Sequence, residues 1–190
     1  MNIRVALILV LMGLPSCTTQ RPTASGEMFD EETATTELVV ARPIVFARER
    51  TDVAAHSRDY ATLVAVEVDR SGDYGEYLLL YRWSTVDRRM SPPPALDAGE
   101  LKILADGRII ALKPLERLPV NFSQRRALHV PEHTDVVPRA YAVDVATLQF
   151  IATSHDITVR MPQEAFDAPF TLWEDGRNAL LQFLKRAATP

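Results

Sequence analysis

Apolar and polar residues recur along the chain with a spacing that predicts mainly β-structure. Residues 60–68 are dense in β-branched side chains and alternate towards their end, and residues 76–85 alternate throughout. In the second segment Tyr77, Tyr81 and Trp83 would share one face. The Gly- and Asp-containing stretch between the two segments is typical of a turn, so the two strands are predicted to form a hairpin.

The clearest local signal lies in residues 101–115, LKILADGRIIALKPL. Asp106-Gly107 predicts a two-residue turn of type I′ between two short strands. Apolar pairs across this turn would fix the register of the hairpin. The predicted pairs are Leu101 with Leu112 and Ile103 with Ile110.

Shorter apolar runs predict further strands. Residues 38–40 and 44–46 flank Pro43, which indicates an edge strand or two short strands. Residues 140–145 and 156–161 are predicted as strands as well.

In two segments the apolar residues recur at the spacing of a helix. Asp144 is placed to cap a short helix running through Ser154. A final helix is predicted to start between Thr171 and Asp175, where Thr171 and Glu174 have the spacing of a capping box. The apolar stripe of this helix is too hydrophobic to remain exposed to water, so we expect the helix to pack on the sheet. That stripe is formed by Leu172, Gly176, Ala179, Leu180, Phe183, Leu184 and Ala187.

These elements together predict a mainly β fold of the α+β class. We expect an antiparallel sheet or sandwich of about six strands, with the short helix and the C-terminal helix packed on it. Hairpins dominate over βαβ units, so parallel order is not expected. Residues 37–190 are predicted to form one globular domain, whereas residues 17–36 are polar, nearly free of aliphatic side chains and predicted to be a flexible tether.

The net charge of the chain limits the kinds of partner that the protein is expected to bind. The 190-residue chain carries a net charge of −4, which argues against a nucleic-acid binder and against a polybasic patch for membranes.

The N-terminus predicts export. One positive charge at Arg4 precedes the unbroken apolar run of residues 5–12, which is too short for a permanent membrane helix. A charged start, a short apolar middle and a small-residue end are typical of a secretory signal peptide, here residues 1–16.

Residues 14–17, Leu14-Pro15-Ser16-Cys17, span the end of this segment and resemble the lipobox of bacterial lipoproteins. The resemblance implies that Cys17, the only cysteine, becomes diacylglyceryl-modified and acylated, with palmitate-type chains that anchor the protein in a membrane. The second position holds Thr18 rather than Asp, which resembles the outer-membrane class with its domain facing the periplasm. The alternative is a plain signal peptide with Cys17 as an incidental thiol.

Candidate metal ligands are densest in residues 129–135, where His129, Glu132, His133 and Asp135 could surround zinc. Pro131 excludes a helical presentation of the two histidines, so we expect an exposed polar loop. A second acidic group lacks the spacing of a calcium loop and is expected to be a solvated hairpin end. It comprises Asp69, Asp73 and Glu76. The sequence thus predicts no metal and no cofactor.

Arginine-rich and aromatic positions offer two further candidates. Arg82, Arg88, Arg89 and Arg108 could converge on an anionic ligand, although paired surface charge is the preferred interpretation. The aromatic face of Tyr77, Tyr81 and Trp83 could bind a sugar, although packing is preferred. The chain has neither a Gly-x-Ser-x-Gly elbow nor a Gly-rich phosphate loop, so no catalytic residue is predicted.

The sequence therefore predicts a non-catalytic envelope lipoprotein, a binding or assembly module with a protein partner. Two alternatives stay open. One is a metal-assisted periplasmic hydrolase built on His129 and His133, and the other is a small-ligand carrier that uses the aromatic sheet face.

Overall fold

The computed structural model describes residues 26–85, 99–120, 138–161 and 168–187, which form ten strands and two helices. The strands are β1 (Gly26–Asp30), β2 (Thr35–Val39), β3 (Ile44–Glu49), β4 (Arg58–Arg70), β5 (Asp73–Ser84), β6 (Leu101–Ala105), β7 (Arg108–Leu112), β8 (Arg139–Ala142), β9 (Ile157–Arg160) and β10 (Phe170–Glu174). The helices are α1 (Val145–Thr153) and α2 (Arg177–Ala187).

All ten strands belong to one open antiparallel sheet. Along one path the order is β1-β2-β4-β3-β10-β9-β6-β7, and β5 and β8 continue from the other side of β4. The segment that follows β7 contacts β8, where the Leu115 N–H donates a hydrogen bond of 2.9 Å to the Ala140 carbonyl. The prediction of a mainly β, antiparallel fold with two helices is confirmed, but the strands number ten rather than about six.

The long strand β4 organises the sheet. It pairs with β5 along its whole length, and on its other edge with β2 at one half and β3 at the other. β2 and β3 therefore lie end to end, separated by a bend at residues 40–43 in which the Val40 N–H donates to the Ala65 carbonyl. The prediction of two short strands around Pro43 is confirmed, whereas the edge-strand alternative is wrong because each of them has a strand on both sides.

Both predicted hairpins turn through residues with positive φ. Asp106 and Gly107 have φ of 44° and 79°, and the predicted pairs Leu101–Leu112 and Ile103–Ile110 are in register. In the β4–β5 hairpin Ser71 and Gly72 form the turn, with φ of 56° and 91°. That turn is tighter than the sequence suggested, because backbone pairing continues through its polar flanks as far as Arg70–Asp73.

The first helix agrees with its prediction. The Asp144 carboxylate accepts a hydrogen bond from the Thr147 N–H at 2.6 Å, which satisfies one of the free donors at the helix start. Leu148 and Ile151 are fully buried, whereas Val145 stays exposed.

The second helix starts later than predicted, at Arg177. The predicted capping box is wrong, because Thr171 lies in β10 and its hydroxyl lies within hydrogen-bond distance of the Ala47 carbonyl, at 3.3 Å. The Asp175 carboxylate instead accepts from the Arg177 N–H at 3.0 Å. The predicted stripe is confirmed where it lies on α2. Its buried members are Ala179, Leu180, Phe183 and Leu184.

The predicted tether also needs correction. Within residues 17–36, residues 26–30 form β1 and β2 begins at Thr35. The side chains of β1 are exposed and carry no apolar pattern, so only backbone pairing with β2 makes this segment a strand. The described sheet therefore includes β1 from Gly26 and does not begin at residue 37.

One main apolar cluster connects the sheet and both helices. Its largest fully buried side chains include Phe46, Phe170 and Phe183, contributed by β3, β10 and α2. Gly176, at the start of α2, lies against the bend between β2 and β3 so closely that a Cβ there would overlap the Pro43 carbonyl. The final helix is thereby seated on the sheet, as the apolar stripe predicted.

Candidate functional site

A continuous line of residues crosses the outer face of the sheet. Strand registers place one residue from each of β7, β6, β9, β10, β3, β4 and β5 directly opposite the next. We call this line the outer row: Ile109, Leu104, Thr158, Thr171, Ala47, Tyr60 and Trp83. Its β7 end is strongly exposed, with Ile109 67% accessible to solvent. Large apolar side chains at this end of the outer row are thus exposed to water.

The other end of the outer row is aromatic. The rings of Tyr60 and Trp83 stack with centroids 3.8 Å apart and planes 7° from parallel. Tyr60 is buried beneath its neighbours, and the Trp83 indole N–H points to the Thr62 hydroxyl at 3.2 Å. Stacking and this contact fix the indole in one orientation.

Trp173 completes this cluster from β10. A shift of register between Leu172 and Glu174 leaves Trp173 as the extra residue of a β-bulge opposite β3. Bulges re-aim side chains. Here the rings of Trp173 and Tyr60 are nearly perpendicular with centroids 6.1 Å apart, and 50% of Trp173 stays exposed.

A cation lies over the exposed indole. The guanidinium carbon of Arg58 is 4.6 Å from the centre of the Trp173 ring, within the range of a cation–π contact. Arg58 also pairs with the Glu49 carboxylate at 3.3 Å. We call Tyr60, Trp83, Trp173 and Arg58 the aromatic surface.

A buried ion-pair network supports this end of the sheet from the opposite face. The Asp59 carboxylate accepts from Arg48 at 3.1 Å and from Arg50 at 3.0 Å. Burial opposes ionisation of Asp59, but hydrogen bonds from Ser84, Arg50 and Arg48 outweigh it, so the pKa of Asp59 lies below its usual value. Asp59 therefore remains a charged anchor that holds β3 and β4 together beneath the aromatic surface.

The predicted aromatic face is only partly what the structure presents. Tyr77, Tyr81 and Trp83 do lie on one face of β5, but Tyr81 is buried and Tyr77 packs against the main core. Trp83 alone joins the aromatic surface, and its partners Tyr60 and Trp173 were not foreseen. Pairing the two predicted strands of residues 60–68 and 76–85 could have placed Tyr60 opposite Trp83. Trp173 could not be placed in this way, because its segment was predicted to be part of the final helix.

Of the four candidate arginines the structure describes Arg82 and Arg108, and they have different neighbours. Burial raises the pKa of the Tyr141 hydroxyl, and the positive charges of the nearby Arg139 and Arg82 partly offset that rise. Arg108 instead lies over the Phe150 ring of α1, at 5.1 Å. Arg88 and Arg89 lie outside the described residues.

A cleft of about 580 Å³ lies at the end of the sheet formed by β1, β2, β4 and the start of β5, beside the C-terminal end of α2. Its lining is Glu27, Thr36, Leu38, Glu67, Asp69, Tyr74, Lys185, Arg186 and Ala187. Asp69, from the predicted acidic hairpin end, caps the turn by accepting from the Gly72 N–H at 2.7 Å. In the described part of the chain, no three His, Cys, Asp or Glu residues are grouped to hold a metal ion.

Several predicted positions fall outside the described residues. They are Cys17 with its lipobox and the histidine loop of residues 129–135, so both predictions stand as predictions. Within the ranges that are described, neither helix has the length and apolar character needed to cross a bilayer. Comparison with models of known protein families, with curated proteins and with solved structures found no match to this chain.

Proposed function

We propose that this chain is a non-catalytic lipoprotein of the bacterial envelope that docks a protein partner on its outer row. In this proposal residues 1–16 direct export, Cys17 carries the lipid anchor in the outer membrane, and the domain from Gly26 onward faces the periplasm. The resemblance of Leu14-Pro15-Ser16-Cys17 to a lipobox supports the anchor, and Thr18 supports the outer membrane as its location.

The observation that carries the docking function is the aromatic surface. Tryptophan, tyrosine and arginine dominate the binding energy of protein interfaces, particularly where neighbouring contacts exclude water. Trp173 is half exposed beneath Arg58, and it is fixed by a bulge, a ring contact and the buried network under β3 and β4. Such a preorganised anchor loses little entropy when a partner covers it.

The outer row extends this surface towards β7. Leu104 and Ile109 face each other across the β6–β7 hairpin and are both exposed. Threonines on β9 and β10 connect them to the aromatic end. A partner lying along the row would cover an apolar patch at each end.

A ligand carrier using the aromatic face is less well supported. A carrier needs a concave pocket that encloses most of its ligand. The described cleft is lined mainly by β1, β2, β4 and α2 residues and lacks Tyr60, Trp83 and Trp173.

Site-specific photocrosslinking in living cells tests the docking function. A benzophenone amino acid would replace Trp173 in one strain and Leu104 in a second, with Val145, an exposed apolar residue on α1, as the matched control. We expect the same protein adduct from positions 173 and 104, and its absence from position 145.

Replacement of Trp173 by Ala should then abolish the adduct formed from position 104. Adducts that form equally from all three positions, or from none of them, would overturn the docking proposal.

A further inference from the structure

The cleft described above is built on two registered rows of the sheet. In the first row, Glu27, Leu38, Glu67 and Glu76 lie side by side on β1, β2, β4 and β5. In the second, the neighbours are Phe29, Thr36, Asp69 and Tyr74. All of these side chains project from one face. In the first row Leu38 separates Glu27 from Glu67, and Glu76 is the neighbour of Glu67 on the other side.

Glu67 is the buried member of this group. Only 9% of the residue is accessible to solvent, yet it lines the cleft. Among the described residues no hydrogen bond or ion pair is found at its carboxylate, and the nearby Arg186 pairs with Glu27 at 3.5 Å. Removing part of the solvent around a carboxylate is unfavourable, and a cation that pairs with it offsets this cost. An acceptor of this kind, open to a cleft, is suited to a cationic ligand.

The chemistry of the cleft favours an organic cation over a metal ion. A divalent metal needs several converging ligands, and the described residues offer no such group. An ammonium group needs only one or two acceptors at hydrogen-bond distance. Leu38 and the half-exposed ring of Tyr74 add apolar and aromatic surface for the carbon chain that carries the ammonium group.

We propose that the cleft binds the primary ammonium group of an organic amine, with the Glu67 carboxylate as its anionic partner and Tyr74 beside its carbon chain. The amine is either a free small molecule or a lysine side chain of a protein. This site lies apart from the outer row, so the proposal does not rest on the docking function.

The electrostatics of the unbound cleft agree with this assignment. Burial raises the pKa of Glu67, and the negative charges of Glu76 and Asp69 raise it further. A bound ammonium would oppose that shift, so binding should strengthen as the pH rises and Glu67 ionises. The charged and titratable groups around Glu67 are Glu27, Asp69, Tyr74, Glu76, Lys185 and Arg186.

An NMR titration of the full, isotope-labelled chain tests the proposal with butylammonium as the probe and 1-butanol as its uncharged counterpart. We expect saturable shifts of the amides of Leu38, Glu67 and Asp69 with butylammonium and none with butanol. Glu67→Gln should weaken binding about tenfold or more, because a hydrogen bond between charged groups is lost. The control Glu174→Gln, which removes an exposed carboxylate from β10, should bind as the parent does.

A second titration distinguishes the sources of the amine. The capped tripeptide N-acetyl-Gly-Lys-Gly-amide, whose only ammonium group is on the lysine side chain, and its form with an acetylated lysine would be compared with butylammonium. Binding of the capped lysine peptide more tightly than butylammonium, lost on acetylation of the lysine, points to a lysine side chain, and binding of butylammonium alone points to a free amine. Failure of both amines to shift the cleft at millimolar concentration, or equal affinity in the Glu67→Gln variant, would overturn the proposal.

Discussion

Gly107 shows how one residue can determine a local conformation. Its φ of 79° lies in the left-handed region, and a Cβ added there would meet no atom within 4 Å. Substitution by valine therefore introduces backbone strain without a steric clash.

We expect Gly107→Val to lower the free energy of unfolding by about 1 kcal/mol or more, because a β-branched residue is strained at positive φ. Thermal or chemical denaturation measures this. Gly26→Val is a matched control, since Gly26 also has open space around its Cβ position but has an ordinary φ. Equal stability of the two variants would contradict the assignment of the type I′ turn.

Glu67 predicts a pH dependence of stability. Its pKa is raised above the ordinary value of 4.5, so the folded state holds the proton more tightly than the unfolded chain does. The contribution of this group to stability is complete below pH 4.5 and is lost as the pH rises through the folded-state pKa. Aspartates with lowered pKa, such as Asp59, have the opposite trend, so only a difference between variants isolates Glu67.

We expect Glu67→Gln, which mimics the protonated form, to be more stable than the parent at neutral pH, with a difference that shrinks as the pH falls. Urea denaturation at a series of pH values measures this, with Glu174→Gln as the control for net charge. A difference that is constant with pH would show that Glu67 has an ordinary environment.

Residue-level prediction succeeded where the signal was local. Asp106-Gly107 and the cap at Asp144 depend on residues within one turn, so their conformations follow from chemistry alone. Trp173 depends on a strand more than a hundred residues away, as the 124-residue separation of Thr171 from Ala47 illustrates. The apolar spacing around Leu172 is typical of a helix, so the segment was assigned to the final helix rather than to a strand. The aromatic surface was missed for that reason.

The helix α2 provides the prediction at the scale of an element. Phe183 is fully buried in the main core, whereas Gln182 beside it is exposed. We expect Phe183→Ala to cost about 3–5 kcal/mol through lost burial and the cavity it leaves. Gln182→Ala should change stability by no more than about 0.5 kcal/mol.

Chemical denaturation of both variants measures the difference. If Phe183→Ala unfolded at the same denaturant concentration as the parent, α2 would add little to the stability of the fold, and its apolar face would be available to bind a partner.

Among the elements, strands with an apolar pattern were predicted and strands without one were not. β4, β5 and the β6–β7 hairpin carry alternating or continuous apolar residues that register with their neighbours. β1 has exposed side chains and exists through backbone pairing with β2, which composition does not encode. The error over β10 arose because Thr171 and Glu174 satisfy a capping motif while the segment pairs with β3 and β9.

At the scale of the whole molecule, the proposed anchor can be tested without reference to the fold. We expect Cys17→Ala to abolish incorporation of radiolabelled palmitate and to leave an uncleaved precursor, since the thiol is the site of lipid attachment in the proposed lipobox. Thr18→Ala is a matched control at the next position and should keep the label. Label that persists on Cys17→Ala would exclude lipidation at this residue.

The position of β10 has a consequence for the order in which the molecule can be assembled. β10 lies between β3 and β9, yet among the described strands it is the last to be synthesised. Until it arrives, β3 and β9 both expose unpaired backbone edges, which are templates for aggregation. Pairing over so long a stretch of chain also makes folding slow. A chain that ends before residue 174 would therefore keep both edges open to aggregation, and the native sheet would form only once β10 is available to pair with them.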